Sequence, residues 1–238
     1  MKKESIGIVI PLYNQGIYLE DALRSVYDNG TKFDVKVVIV DDKSTDNSLV
    51  AAESLSKTYR DAFTLISIQT HPVNRGLSAA RNTGIQSIDT TYVVCLDADD
   101  RLHHNYFNQC WHTMYTQTAD IVYTDMQEFG LSHALYTWHT FSEAELRRGN
   151  FIHCAAMFRK AVWETVGGFD VDMRCGLEDY EFWIRAHLCG FKFVKNLNTR
   201  LWWRRTASSM TAALETQNKR ADVMAYIQNK HMGWFSGS

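Results

Sequence analysis

Three observations predict an α/β fold with a parallel central sheet. Through residue 96, short β-branched and aromatic runs alternate with segments of helical apolar spacing. That βαβαβαβ order winds, through right-handed crossovers, into a parallel sheet with helices on both faces. Each of the four runs is followed at its carboxyl side by a polar cluster. The two prolines, Pro11 and Pro72, stand at strand or loop ends, where no ladder donor is lost.

The elements follow in order. Ile6 to Leu12 reads as a strand buried on both faces, and Leu19, Ala22, Leu23 and Val26 mark a helix over Ile17 to Tyr27. Val35 to Val40 is the second strand. Ser44 or Asp46 caps a helix whose buried stripe is Leu49, Val50, Ala52, Leu55 and Tyr59. Phe63 to Ile68 is the third strand, Gly76 to Ile88 a short helix after a glycine turn, and Tyr92 to Leu96 the fourth strand.

Beyond Asp100, Tyr106, Phe107, Cys110, Trp111 and Met114 mark a helix, and Ile121 to Tyr123 a strand. Leu131 to Thr140 has no clean period and reads as a loop or edge hairpin exposing Tyr136 and Trp138. Ser142 to Arg148, Lys160 to Val166 and Glu178 to Leu188 are helical, Phe191 to Val194 and Leu201 to Arg205 are strands, and a last helix runs from about Ala212 to Ile227. Gly233 to Ser238 reads as a frayed end or an appended remnant. Residues 1–100 and 101–238 are expected to form two halves of one domain.

With 238 residues, 45% hydrophobic and 22% charged, the chain can bury a full core. A net charge of -2 without blocks of like charge lacks the footprint of nucleic-acid binding. Five cysteines, an odd number with no CxxC pair, argue for reduced thiols and a cytoplasmic setting. The apolar run after Lys3 stops at Pro11 without a cleavage site, and no run approaches the ~18 apolar residues of a membrane span.

The chemistry-bearing clusters are Pro11-Leu12-Tyr13-Asn14, Asp41 to Asp46, Asn74 to Asn82, and Asp97-Ala98-Asp99-Asp100. All fall beyond strand carboxyl ends, where open α/β sheets bind ligands. Three carboxylates within four residues raise one another's pKa unless a cation, backbone donors or water offsets the charge. Hard oxygen ligands suit Mg2+ or Mn2+ with phosphate oxygens completing the shell. The plain alternative is a solvated acidic turn. Asp41 and Asp42 can accept from a base or ribose, Gly76 admits close backbone approach, and Arg81 offers a planar donor to phosphate or forms a surface salt bridge. No GxGxxG follows the first strand, which weakens a dehydrogenase reading. Glu181 and Arg185, spaced i,i+4, read as a surface pair, and the adjacent His103 and His104 would point apart on a helix.

In this order and spacing the four clusters resemble the inverting family 2 glycosyltransferases of GT-A fold, a three-layer α/β/α architecture with a mostly parallel sheet. The resemblance continues in Gly149-Asn150-Phe151-Ile152, Met157-Phe158-Arg159-Lys160, Val166-Gly167-Gly168-Phe169-Asp170 and Gly176-Leu177-Glu178-Asp179-Tyr180-Glu181-Phe182-Trp183.

It implies metal-dependent transfer of a sugar from a nucleotide-sugar, a UDP-sugar by expectation, to a hydroxyl of a glycan or lipid-linked glycan. Asp41 would accept from the base, with Pro11, Tyr13, Asn14 and Asp42 around it. Asp97 would hold the ribose and Asp99 a Mn2+ or Mg2+ bridging two phosphates. Asp100 and Glu178 would orient the donor sugar, and Asp179 would be the general base, with residues 1–100 as the nucleotide-sugar-binding half and 101–238 as the acceptor-binding and catalytic half. Trp138, Trp202 and Trp203 are candidates for an acceptor cleft, whereas Trp111, Trp163 and Trp183 read as core. A lipid-linked acceptor would bring the protein to the inner face of the membrane. The family's histidine after the last strand is absent, Thr206 holding its slot; water, or Arg204 and Arg205 contacting the pyrophosphate, would substitute. Two rivals stand beside this reading. One is an inactive nucleotide-sugar-binding homologue; the other is a nucleotidyltransferase, which normally carries a basic glycine-rich loop where this chain has Tyr13-Asn14-Gln15-Gly16.

Overall fold

A computed structural model of the chain describes residues 3–30, 32–206 and 219–236. The first half is β1 (Ser5–Leu12), α1 (Leu19–Tyr27), β2 (Asp34–Asp41), α2 (Ser48–Thr58), β3 (Leu65–Thr70), α3 (Leu77–Ser87) and β4 (Tyr92–Cys95). It matches the expected order within a residue or two at most ends. The second half adds β5 (Arg101–Leu102), α4 (Tyr106–Gln117), β6 (Ile121–Gly130), β7 (Leu135–Tyr136), α5 (Glu143–Arg148), β8 (Met157–Arg159), α6 (Lys160–Val166), α7 (Glu178–Leu188), β9 (Phe193–Arg205), α8 (Arg220–Lys230) and α9 (Met232–Ser236).

One nine-stranded sheet runs through both halves in the order β3-β2-β1-β4-β8-β6-β9-β5, with β7 on β6. The long pairings, β1–β2, β1–β4, β2–β3 and β6–β9, are parallel; the short ones are antiparallel. Side-chain alternation divides the core between the two faces. Ile6, Ile8 and Ile10 pack with Leu19, Leu23 and Phe107, while Val9, Val38 and Val40 pack with Ile85, Phe182 and Trp183. On the second face α3 approaches β1 closely, because a Cβ on Gly84 would stand 2.3 Å from Val9 Cγ1. With Leu12 in register with Asp41, and the Leu96 N–H donating to the Val9 carbonyl at 2.9 Å, the tips of β1, β2 and β4 lie side by side.

Several expectations are corrected. The sheet is mostly parallel as expected, but β8, whose three residues are too few to show a period, was not expected and inserts antiparallel between β4 and β6. The two strands expected over 191–205 are one, β9, whose register against β6 shifts between Thr124 and Asp125. Val50 is exposed, since α2 buries only Ser48 and Ala52 fully. Trp183 is buried, but Trp111 and Trp163 are only half-buried, as are Tyr136 and Trp138 in the β6–β7 hairpin. His103 and His104 precede α4 rather than lying in a helix, and their rings meet with centroids 4.1 Å apart. The expected helix start at Ala212 falls outside the described residues, and the described helix continues past Ile227 to Lys230. Trp234 is buried in α9, so the described part of the chain end is not frayed. No helix of the described residues is long and apolar enough to cross a membrane.

Candidate functional site

The tips of β1, β2 and β4 and the start of α7 bring most of the expected residues together. At β1, Asn14 adopts a left-handed φ of 54°, which asparagine tolerates. Its amide oxygen accepts from the Thr45 N–H at 2.8 Å and its own N–H donates to Ser44 Oγ at 3.1 Å, so Asn14 ties the β1 loop to the β2 loop. Neither Ser44 nor Asp46 is the N-cap of α2, which is Asn47; Asp46, one residue earlier, accepts from the Ser48 N–H at 2.9 Å. Asp41 is buried, and among the described residues its carboxylate accepts from the Ser44 N–H alone, at 3.3 Å to each oxygen. Tyr13 is exposed beside it, and Pro11 is buried within β1.

Asp42 acts otherwise. One oxygen lies 2.6 Å from His71 Nδ1 and accepts from the Arg75 N–H at 2.8 Å; the other accepts from the Gly76 N–H at 2.7 Å. This carboxylate folds the 71–76 loop. The φ of +90° at Gly76 is what requires glycine there.

At β4, the Arg81 guanidinium is buried between two carboxylates, donating to Asp97 Oδ1 at 2.9 Å and to Glu178 Oε1. Neither a surface bridge nor a free phosphate donor describes it. Glu178, buried with Arg81, faces the same ion pair. Asp97 keeps 30% of its side chain exposed, and Cys154 Sγ donates to its other oxygen at 3.5 Å. Asp99 accepts from Gln15 Nε2 at 3.0 Å. Burial, then the neighbouring Asp97, pushes its carboxyl up to about 6. Asp100 is buried and raised well above the usual range by burial and by Asp99 and Asp97, although it accepts from the Arg204 N–H at 2.8 Å.

Among the described residues no cluster of three or more His, Cys, Asp or Glu side chains could hold a metal. The donor set nonetheless fits a cation of the Mg2+ class. Such ions take one or two carboxylates and draw the rest of their shell from water and phosphates. Asp99 and Asp97 stand near each other, and a bound cation would offset their charge.

Asp179 opens α7 with its side chain half-buried. Burial, then Glu178, pushes it up to about 7, against lowering by Arg81 and by a hydrogen bond from Asn150. The Glu178–Arg81–Asp97 bridge ties this helix start to the β4 tip.

The structure does not unite the remaining candidates. Consecutive residues of a strand face opposite ways. Arg204 lies between the Tyr18 and Phe129 rings, at 4.5 and 4.4 Å, and donates to the Asp99 carbonyl at 2.8 Å and to Asp21. Arg205 turns to Glu128, 3.2 Å away, and covers the Trp203 ring at 4.3 Å. Trp202 lines a cavity of about 530 Å3 with Arg24, Arg101 and His104, apart from Trp203. Trp203 and Trp138 both meet Tyr136, at 6.3 and 5.7 Å, so the three tryptophans do not line one cleft. Thr206 is half-buried at the end of β9, and positions 207–210 of that segment lie outside the described residues.

Gln15, Asp21, His71 and Cys154 escaped the sequence reading. Gln15 stood in the open, adjacent to Asn14 in the first cluster. The other three touch the site only through folding.

Against this geometry stand the comparisons with known proteins. Over 226 residues the chain is 29% identical to the chondroitin synthase of Pasteurella multocida, covering 92% of this chain and 22% of that protein. It is 28% identical over 141 residues to the glycosyltransferase GlyA of Streptococcus pneumoniae, covering 59% of this chain and 19% of GlyA. The chain thus spans about a fifth of the length of these relatives. Two solved structures share its fold at 18% identity, each with a TM-score of 0.75. One is S. aureus TarS 1–349 in complex with UDP-GlcNAc, covering 89% of this chain and 61% of that one. The other is the mannosyltransferase PcManGT from Pyrobaculum calidifontis in complex with GDP-Man and Mn2+, covering 100% and 66%. The expected GT-A-type α/β architecture is therefore the observed one. The model of the family Glycosyl transferase family 2 matches residues 7–170, more than half of the sequence, and the chain belongs to that family.

Proposed function

We propose that this chain transfers a sugar from a nucleotide-sugar, in particular a UDP-sugar, to a hydroxyl of a glycan or lipid-linked glycan, with inversion at the anomeric carbon. Asp41, buried with only one weakly held backbone donor, is the acceptor for the base, and the exposed Tyr13 flanks it. Asp97 keeps an exposed edge for the ribose. Asp99 would hold a Mn2+ or Mg2+ ion, which when bound supplies positive charge at the leaving diphosphate. Asn14, Asp42 and Asp100 shape the loops around the donor, and Arg204 holds the β4 tip by its main chain. Arg205 is left to the acceptor side.

The observation that carries the reading is Asp179. A half-buried carboxylate raised to about 7 by burial and by Glu178, and held by the Tyr180 N–H at 2.8 Å, has the proton affinity of a general base working near neutrality. It takes the proton from the acceptor oxygen as that oxygen attacks, and Glu178 and Arg81 keep it in line with the β4 carboxylates. An inactive binding homologue would have no need of such a base. The relatives' names support transfer of sugars, and those of TarS and PcManGT support nucleotide-sugar donors and a divalent ion.

The test is a thermal-shift screen of nucleoside diphosphates and nucleotide-sugars with and without Mn2+, because specific ligands stabilise the folded state by mass action. UDP and UDP-sugars with Mn2+ should raise Tm. A flat response to every nucleotide would overturn the proposal.

A further inference from the structure

The helices α8 and α9 contribute no residue to the site, yet they are fastened where the site is made. Of α8, only Ile227 is fully buried, with Val223 and Met224 partly buried against the same core. Polar contacts do the rest. Lys230 Nζ lies 2.7 Å from Asp170 Oδ2 and 2.9 Å from Glu181 Oε1; His231 Nε2 lies 3.0 Å from the same Glu181 oxygen. Tyr226 donates its hydroxyl to Asp170 at 2.8 Å, and the buried Trp234 donates from Nε1 to Glu143 at 3.1 Å.

Glu181 is fully buried, which corrects its reading as a surface residue. Arg185, one turn along α7, already engages both of its oxygens at 2.7 to 3.0 Å. Burial pushes the Glu181 carboxyl up, but hydrogen bonds from His231 and Arg185 outweigh it and hold the group at about 2. Lys230 and His231 thus share with Arg185 in satisfying this buried carboxylate of α7. Their effect is to bind the chain end to it.

The three gripped segments lead toward the site: α7 carries Asp179, and the other two run to Asn150 and to Phe169 beside Arg81. Glu181 is half a turn from Asp179 on α7. Glu143 is on α5, which leads through Gly149 into Asn150, the donor to Asp179. Asp170 follows Phe169, whose ring lies under Arg81 at 5.5 Å and whose backbone is held by Asn82 on both sides, at 2.8 Å each.

We infer that α8 and α9 form a clasp, closed by Lys230 and His231 on Glu181 and Asp170, that sets the position of Asp179 and Asn150 for the acceptor proton. The inference rests on the reading of Asp179 as the base. Lys230 and His231 are positioning residues, since neither reaches the site. A clasp that only stabilised the fold would change Tm and nothing else.

The experiment is the double variant Lys230→Ala/His231→Ala, with Tyr226→Phe as a milder form that removes one exposed hydroxyl. Hydrogen exchange should speed up by about tenfold or more at the amides of Glu178 to Glu181. Transfer from UDP-GlcNAc or another active UDP-sugar should lose about tenfold in kcat, with UDP affinity in Mn2+ unchanged and the acid limb of the pH profile displaced. Lys230→Arg should retain most of the activity. Unchanged exchange in the first turn of α7, or a lower Tm with kcat and the acid limb intact, would overturn the clasp. Should the unaltered protein bind no nucleotide and transfer nothing, the glycosyltransferase reading fails instead, and the exchange measurement still judges the clasp.

Discussion

Arg81 and Glu178 are joined by a buried ion pair that crosses from α3 to the start of α7, 97 residues later in the chain. Arg81 is 1% exposed and holds Asp97 with its other terminal nitrogen, so one guanidinium connects the β4 tip to the helix that presents Asp179.

Removing that guanidinium strips the buried Glu178 of its ion-pair partner and leaves Asp97 with Cys154 and solvent. Arg81→Met should cost about 3–5 kcal/mol in urea unfolding, the usual penalty for breaking a buried pair on one side. Arg81→Lys should not restore it, because a single ammonium lacks the fork that spans both acids. A loss under about 1 kcal/mol would place the pair among surface bridges.

Asp99→Ala should abolish the Mn2+-dependent part of UDP binding in calorimetry while leaving the fold intact. In the unaltered protein that part should weaken as pH falls below about 6, because a protonated Asp99 cannot ligate. Equal affinities in the two proteins would remove Asp99 from the cation site.

Asp179→Asn should bind donor normally and lose about 10²-fold or more in transfer. With the group at about 7, activity should fall as pH drops below that value. The stability effect has a definite sign. A carboxyl raised from 3.8 favours folding when protonated, so its contribution is present below 3.8 and lost as pH rises through about 7. The Asn variant should flatten that slope in chemical denaturation; near-normal turnover would reassign the base.

Gly84→Ala should destabilise by about 1–3 kcal/mol through overpacking, because its new methyl meets Val9 Cγ1 at 2.3 Å and Val40 Cγ2 at 3.2 Å. A neutral change in Tm would mean that α3 can slide on β1.

Much of this was legible in the residues alone. The 2-residue and 3.6-residue periods are local, and they placed β1 to β4, α1 to α4 and α7. Turn chemistry is local too, so the clusters at Asn14, Asp41, Gly76 and Asp97 to Asp100 could be assigned to strand tips before any tertiary contact was known. The weak points had physical causes. The strand β8 has three residues, β5 has two, and the bulge in β9 interrupts a period that would otherwise have joined its halves. Nothing local distinguishes a surface i,i+4 pair from Glu181 and Arg185, because burial depends on what covers the helix.

The order of elements, the parallel first half and the acidic tip of the fourth strand were thus set by the sequence itself, through interactions spanning a few residues. Folding decided which charges are free to meet a ligand. Arg81 was turned inward to Glu178, Asp42 to His71, Arg205 to Glu128, and Trp202 and Trp203 to opposite faces of one strand. The reason is that a charged side chain's role is fixed by partners tens of residues away, and those partners exist only once the sheet has brought distant segments within a few ångströms.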